Sequence, residues 1–299
     1  MTLYTQVANN RAKTWGYLLI YIVLLLVVGY IFSNYYGSYL FLFIAGTISI
    51  VQGIIGYYFA DSIALSVARA QPLSAQQFPK VYKIVENLCI TAGLPMPRLF
   101  LIQDSALNAF ATGRDAKHAA IAVTEGLLHT LDENELTGVL AHELSHVGNE
   151  DIRLMSMVMI MAGIVTLLSH WFTNSLFWSG GRRRDSNDEG GGLFLILGIV
   201  FAILAPIVAT LIQLAISRRR EFLADANGVL LTRYPQGLIS ALQKIGGSEE
   251  PVVEANAATA PMYFNNPLKR GGFLANVFST HPPIEARIAA LEKGTGVRQ

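Results

Sequence analysis

Four uncharged stretches limit what this chain can fold into: Trp15 to Phe32, Ser38 to Ala60, Leu154 to Trp178 and Leu193 to Ser217. Each is 18 to 25 residues long. At about 1.5 Å of rise per residue, a helix of that length crosses a hydrocarbon core of about 30 Å. The competing reading, four long core helices of a soluble protein, fits poorly with a chain of 299 residues that is 52% hydrophobic and only 14% charged. Trp15 and Tyr17 open the first run, and Tyr30, Tyr35 and Tyr36 close it; Tyr39 and Tyr57 to Phe59 bracket the second. Aromatic side chains of this kind sit at membrane interfaces. The first run is longer than the apolar part of a secretory signal, and Ser33-Asn-Tyr-Tyr-Gly37 offers no small-residue cleavage site, so it reads as a retained anchor.

Basic residues near the ends of such runs mark the cytoplasmic side. If all four cross, Arg11, Lys13, Arg69, Lys80, Arg153 and Arg218 to Arg220 share one side, against Arg182 to Arg184 on the other. The chain then divides into a hairpin of spans over 1–60, a cytoplasmic part over 61–153, a second hairpin over 154–217 and a second cytoplasmic part over 218–299. A formal charge of +1 and the lack of a nucleic-acid motif argue against a polyanionic partner and leave the lipid bilayer as the expected one. Cys89 is the sole cysteine, so no intramolecular disulfide forms, which suits a reducing compartment.

Within 61–153, Val81, Ile84, Val85 and Leu88 predict a helix over Phe78 to Ala92, ended by Gly93 and Pro95. Three β-type runs follow, Arg98 to Gln103, Asn108 to Gly113 and His118 to Thr124, the last two joined by a loop of hairpin length. His118 and His129 have no motif partner and read as surface residues. Asp132 with Glu135 forms a capping-box pattern, and Gly148 can close the helix that it opens. On that helix Leu136, Val139, Leu140, Leu144 and Val147 supply a buried stripe.

His142 and His146 lie one turn apart on one face of the same helix, with Glu143 beside the first. A cation held by both rings would lie within reach of a water that Glu143 could deprotonate, the H-E-x-x-H pattern of zinc peptidases. Two chance histidines on an amphipathic helix are the competing reading. Because Leu154 follows His146 by only eight residues, such a metal would sit close to the membrane surface.

A catalytic zinc takes three protein ligands and keeps a fourth position for water. The continuation H-x-x-G-x-x-H is excluded, since Asn149 and Ile152 stand where its glycine and histidine would be. Glu221 is the best remaining donor, because a helix leaving the membrane after Ser217 on the same side would carry it there. Asp225, one turn on, could then accept the other ring N–H of a ligating histidine. Pairing of both acids with Arg218 to Arg220 is the alternative, outweighed by the H-E-x-x-H at the same depth. Elsewhere, His170 with Trp171 reads as an interface pair, and Pro206 as a kink in the fourth run. Ser179 to Gly192, with three arginines and five glycines, reads as a flexible loop, and Gly246 to Asn276 as a mobile one. Gln236 to Ile245 and a C-terminal stretch through Leu291 read as helices.

His142-Glu-Leu-Ser-His146, Glu221-Phe-Leu-Ala-Asp225 after an apolar run, Asn108-Ala-Phe-Ala-Thr-Gly113 and Ser279-Thr-His-Pro-Pro283 together resemble the HtpX family of bacterial membrane metallopeptidases, relatives of the eukaryotic CAAX prenyl protease. The likeness spans residues 15 to 291. It implies a mostly α, α+β integral membrane protein: four transmembrane helices and a cytoplasmic zincin-like domain in the bacterial plasma membrane. It implies one Zn²⁺ per chain on His142, His146 and Glu221, with Glu143 as base, in an endopeptidase that acts on misfolded or damaged membrane proteins. It also brings the C-terminal segment to the site, making His281 the first and Arg287 the second candidate donor to a tetrahedral oxyanion, and Asn108, Ala109, Phe110, Ala111, Thr112 and Gly113 a strand on which an extended substrate could lie. A protease specialised for prenylated substrates and a non-catalytic membrane scaffold or holdase are the alternatives. The intact set His142, Glu143, His146 and Glu221 speaks against the second.

Overall fold

A computed structural model describes residues 3–163, 218–248, 250–255, 259–267 and 282–295. Two long helices come first, α1 (Leu3–Tyr36) and α2 (Leu40–Val67), packed as a hairpin through a turn at Gly37, whose φ of +62° is open to glycine without strain. Only 22% and 17% of their apolar stretches are buried within the protein. A core helix would be covered by its own chain, so these two exposed apolar helices are candidate membrane spans. The helices and the uncharged runs differ in extent: α1 begins well before Trp15, and α2 starts at Leu40, two residues into its run, and continues past Ala60. Of the last two apolar runs, residues 154–163 are described, as part of a helix α6 over 151–163; the remainder, with the Arg182 to Gly192 loop, His170 and Pro206, lies outside the described residues.

Between α2 and α6 the chain builds a four-stranded sheet and three helices. The strands β1 (Gln71–Pro72), β2 (Arg98–Ile102), β3 (Ala109–Thr112) and β4 (Ala120–Thr124) take the order β1-β2-β4-β3. The β2–β4 pair is parallel, with Arg98 opposite Ala120, and its neighbours on either side are antiparallel. α3 (Pro79–Ala92) precedes β2, and its last turn is closed by Gly93 at φ +66°. α4 (Glu125–Thr130) is a short turn after β4, and α5 (Glu133–Gly148) carries the two histidines. Past the undescribed stretch come α7 (Arg218–Thr232), α8 (Pro235–Gly247) and α9 (Ile284–Thr295).

β4 is buried along its whole length because alternate side chains serve two layers. Ile121 and Val123 enter the main core with α3, α5 and α8, through Val85, Leu88, Val139, Leu140, Leu238 and Leu242. Ala120 and Ala122 face the other way, onto the foot of α2 at Ala60, Ala64 and Leu65 and onto Met159 and Ile160 of α6. Small residues on that side let the foot of the apolar hairpin lie directly on the sheet. His118 and His129 are exposed. The sequence reading of Gly246 to Asn276 as a mobile loop needs correction at 259–267. There a 3₁₀ turn (Ala260–Met262) is followed by Tyr263 and Phe264, and all five are buried. Apolar content in a segment without helical or alternating spacing gives no periodic signal, yet it still packs.

Candidate metal centre

α5 begins as its sequence requires. The Asp132 carboxylate accepts from the Glu135 N–H at 2.9 Å, and Glu135 returns the bond by accepting from the Asp132 N–H at 2.8 Å. The helix then runs through the middle of the domain, with Gly138 to Val147 all buried. Glycines permit this crowding. A Cβ on Gly138 would stand 2.8 Å from the Leu238 backbone nitrogen of α8, and one on Gly228 of α7 would stand 3.1 Å from that of His142. The close approach at Gly228 holds α7 against α5, and α7 carries Glu221 and Asp225.

His142 Nε2 and His146 Nε2 are 3.1 Å apart. One Glu221 oxygen is 3.8 Å from the first and the other is 3.6 Å from the second. All three residues are buried, and they are the group of potential ligands found among the described residues. A tetrahedral zinc with bonds of about 2.1 Å sets its ligand atoms about 3.4 Å apart. The observed separations bracket that value, so two imidazoles and a carboxylate fit the ion in number, kind and spacing.

Each histidine is oriented from behind by a carboxylate. His142 Nδ1–H donates to Asp225 Oδ1 at 2.8 Å, and His146 Nδ1–H donates to Asp151 Oδ2 at 3.1 Å. With Nδ1 so engaged, both Nε2 atoms are left to face the common point. Arg287 of α9 forks onto both oxygens of Asp225 at 2.8 and 2.6 Å and donates to the Phe264 carbonyl at 3.1 Å. Burial pushes the Asp225 carboxyl upward, but the Arg287 guanidinium and the His142 N–H hold it far below the ordinary carboxylate range. Burial and Arg287 lower His142 to about 4. His146 goes the other way: burial opposes its charge, yet Asp151, Glu221 and Glu143 raise it to about 9. Glu143 is pushed up to about 7 by burial, with Glu221 adding to the rise and His146, Arg287 and the Ala111 N–H resisting it.

The other residues singled out in the sequence take varied places. Asn108 to Gly113 are all buried. The outer edge of β3 is engaged by the chain's own 263–265: the Phe264 N–H donates to the Ala109 carbonyl at 2.7 Å, and Tyr263 bridges to Phe110. Asn108 and Asn265 add a reciprocal pair, with the Asn108 amide donating to the Asn265 carbonyl and the Asn265 N–H donating to Asn108 Oδ1. Thr112 Oγ1 meets Ser156 at 3.0 Å, and Gly113 adopts φ +137° where a side chain would strike the His118 carbonyl. Arg287 is directed at Asp225, while His281 lies outside the described residues. Sequence reasoning missed Phe264, whose ring packs 4.9 Å from that of His142 and beneath Arg287, and it missed Asp151. The latter was discoverable, being the second of two acids in the turn after the motif; nothing in the local pattern marks Phe264.

The family model for peptidase family M48 matches residues 75–295. Similar proteins over nearly the full length are the Protease HtpX homolog of Caldanaerobacter subterraneus subsp. tengcongensis, 43% identical over 98% of both chains, and that of Dictyoglomus thermophilum, 42% identical over 97% of this chain and 94% of the relative. The Syntrophobacter fumaroxidans protein of the same name is 48% identical over 83% and 88%. The crystal structure of S. mikatae Ste24p shares the fold with a TM-score of 0.50 at 20% identity, covering 94% of this chain and 67% of that one. With the metal-ligating set in place inside the matched region, the chain belongs to peptidase family M48, among the HtpX proteases.

Proposed function

We propose that this membrane-bound zinc metallopeptidase is an endopeptidase that cleaves misfolded or damaged membrane proteins on the cytoplasmic side of the bacterial plasma membrane. The observation that carries the reading is a buried glutamate, Glu143, next to His142, His146 and Glu221, three residues that would hold a zinc ion and could leave a fourth position for water. Zinc bound there supplies a polarised carbonyl and an acidified water. Glu143 would take a proton from a water held there and deliver it to the leaving amine, a role open to a buried carboxylate beside the ligand residues. Asp225 and Asp151 keep the two imidazoles turned inward. His281 is proposed as the donor to the developing oxyanion, with Arg287 acting on Asp225 instead of on substrate.

The same reading assigns four spans, with cytoplasmic parts over 61–153 and 218–299. Lipid-facing surfaces on α1 and α2 and the balance of basic residues support it. Substrate is proposed to lie along β3 as an added strand, which recognises unfolded backbone without asking for a sequence. That requires 263–265 to leave the edge.

Zinc analysis and casein proteolysis in detergent test the core of this. Glu143→Ala is expected to keep about one zinc per chain while activity falls by about 10²–10⁴-fold; equal turnover in both proteins would sink the mechanism. In the same assay His281→Ala should lower kcat with zinc content unchanged, and wild-type kcat would remove His281 from the chemistry.

A further inference from the structure

We propose that Asp151 positions the ligand His146, and that Asn10 of the apolar helix α1 positions Asp151, so that zinc retention depends on the docking of that helix. The inference rests on the reading of His142, His146 and Glu221 as zinc ligands. His142 has its own orienting group in Asp225, held by Arg287. His146 receives the equivalent support from Asp151, a carboxylate only 1% exposed at the start of α6. A buried carboxylate holds its direction only if its second oxygen is also engaged. Asp151 Oδ1 accepts from the Asn10 side-chain amide at 2.8 Å, with Arg220 Nη1 at 3.6 Å.

Asn10 is built into this place. It is 6% exposed, and its amide nitrogen also donates to the Asn149 carbonyl at 3.0 Å. Next to it, Arg11 donates from Nε to Glu150 at 2.8 Å. Glu150 stands at φ +55°, a left-handed conformation uncommon for a residue with a side chain, and is paired further with Arg153 at 3.0 Å. Residues 149, 150 and 151 are thus each held by one turn of α1. Residues 149 and 150 link the end of α5, with its histidines, to α6. An amide at position 10 suits the task. It donates without adding a positive charge of its own beside Asp151, whose other oxygen serves the His146 N–H.

The full-length protein in detergent, loaded with zinc, tests this through the rate and extent of metal release to a chromogenic chelator. Asp151→Ala is expected to weaken zinc retention about 10–100-fold. Asp151→Asn, which keeps an acceptor for His146, should lose less. Asn10→Ala should weaken retention in the same direction, and Asn10→Asp, which sets two carboxylates together, at least as much. In a double-mutant cycle the Asn10→Ala effect should vanish in the Asp151→Ala background. Wild-type release from Asn10→Ala, or an undiminished effect of it without Asp151, would overturn the link; wild-type release from Asp151→Ala would overturn the positioning of His146. Wild-type protein that takes up no zinc would instead count against the metal-centre reading.

Discussion

At the residue scale, Arg287 and Asp225 form a charge pair that is almost fully removed from water, both about 1% exposed. Such a pair contributes little net stability, but removing one member strands the other. Arg287→Ala is therefore expected to cost about 3–5 kcal/mol in denaturant unfolding. The double variant Asp225→Asn/Arg287→Met should recover much of that loss while still retaining zinc poorly, because His142 then lacks a full carboxylate behind it. Stability that stays as low as in Arg287→Ala would show that the guanidinium contributes through packing on Phe264. The sequence made His142, His146 and Glu221 legible for a physical reason. A catalytic metal needs a fixed number of donors of a few kinds, and helix geometry fixes their spacing along each segment. Asp151 and Phe264 were hidden because their roles depend on where the chain returns in space.

Elements were legible where a period or a cap speaks for them. α3, α5 and the three strands follow from apolar spacing and from the Asp132–Glu135 box. The extension of α1 back to Leu3 was not, since the polar residues around Asn10 look like a solvated leader until residues 149–151, at the junction of α5 and α6, provide their partners. The cap itself offers a test. Burial pushes the Glu135 carboxyl upward, but Lys244, Ser240 and the Asp132 N–H all donate to it and together hold it below its ordinary value. A carboxyl depressed by folding stabilises above its unfolded pKa, and that contribution is lost as pH falls through the folded one. Glu135→Gln should thus unfold more readily than wild type at pH 7, with the difference shrinking below about pH 4. A difference that is constant across pH would assign the effect to the cap hydrogen bond alone.

Across the whole molecule, the domain is assembled from pieces far apart in sequence. Asn10 reaches Asp151, Asn108 reaches Asn265, and His142 reaches Asp225 and, through it, Arg287. Local patterns predict each piece and are silent on how they meet. The segment at 263–265 then bears on how a peptide would be selected. If substrate pairs with β3 as proposed, it contends with Phe264 for the Ala109 carbonyl, and the segment would then act as a tethered competitor at fixed, very high local concentration. Weakening it with Tyr263→Ala and Phe264→Ala together should lower KM for an unstructured soluble peptide, whereas a raised KM would mean that the segment helps to form the binding surface. Against such a competitor a dilute soluble chain is at a disadvantage. A polypeptide confined to the same bilayer, and so concentrated beside the site, is the kind of substrate that would prevail.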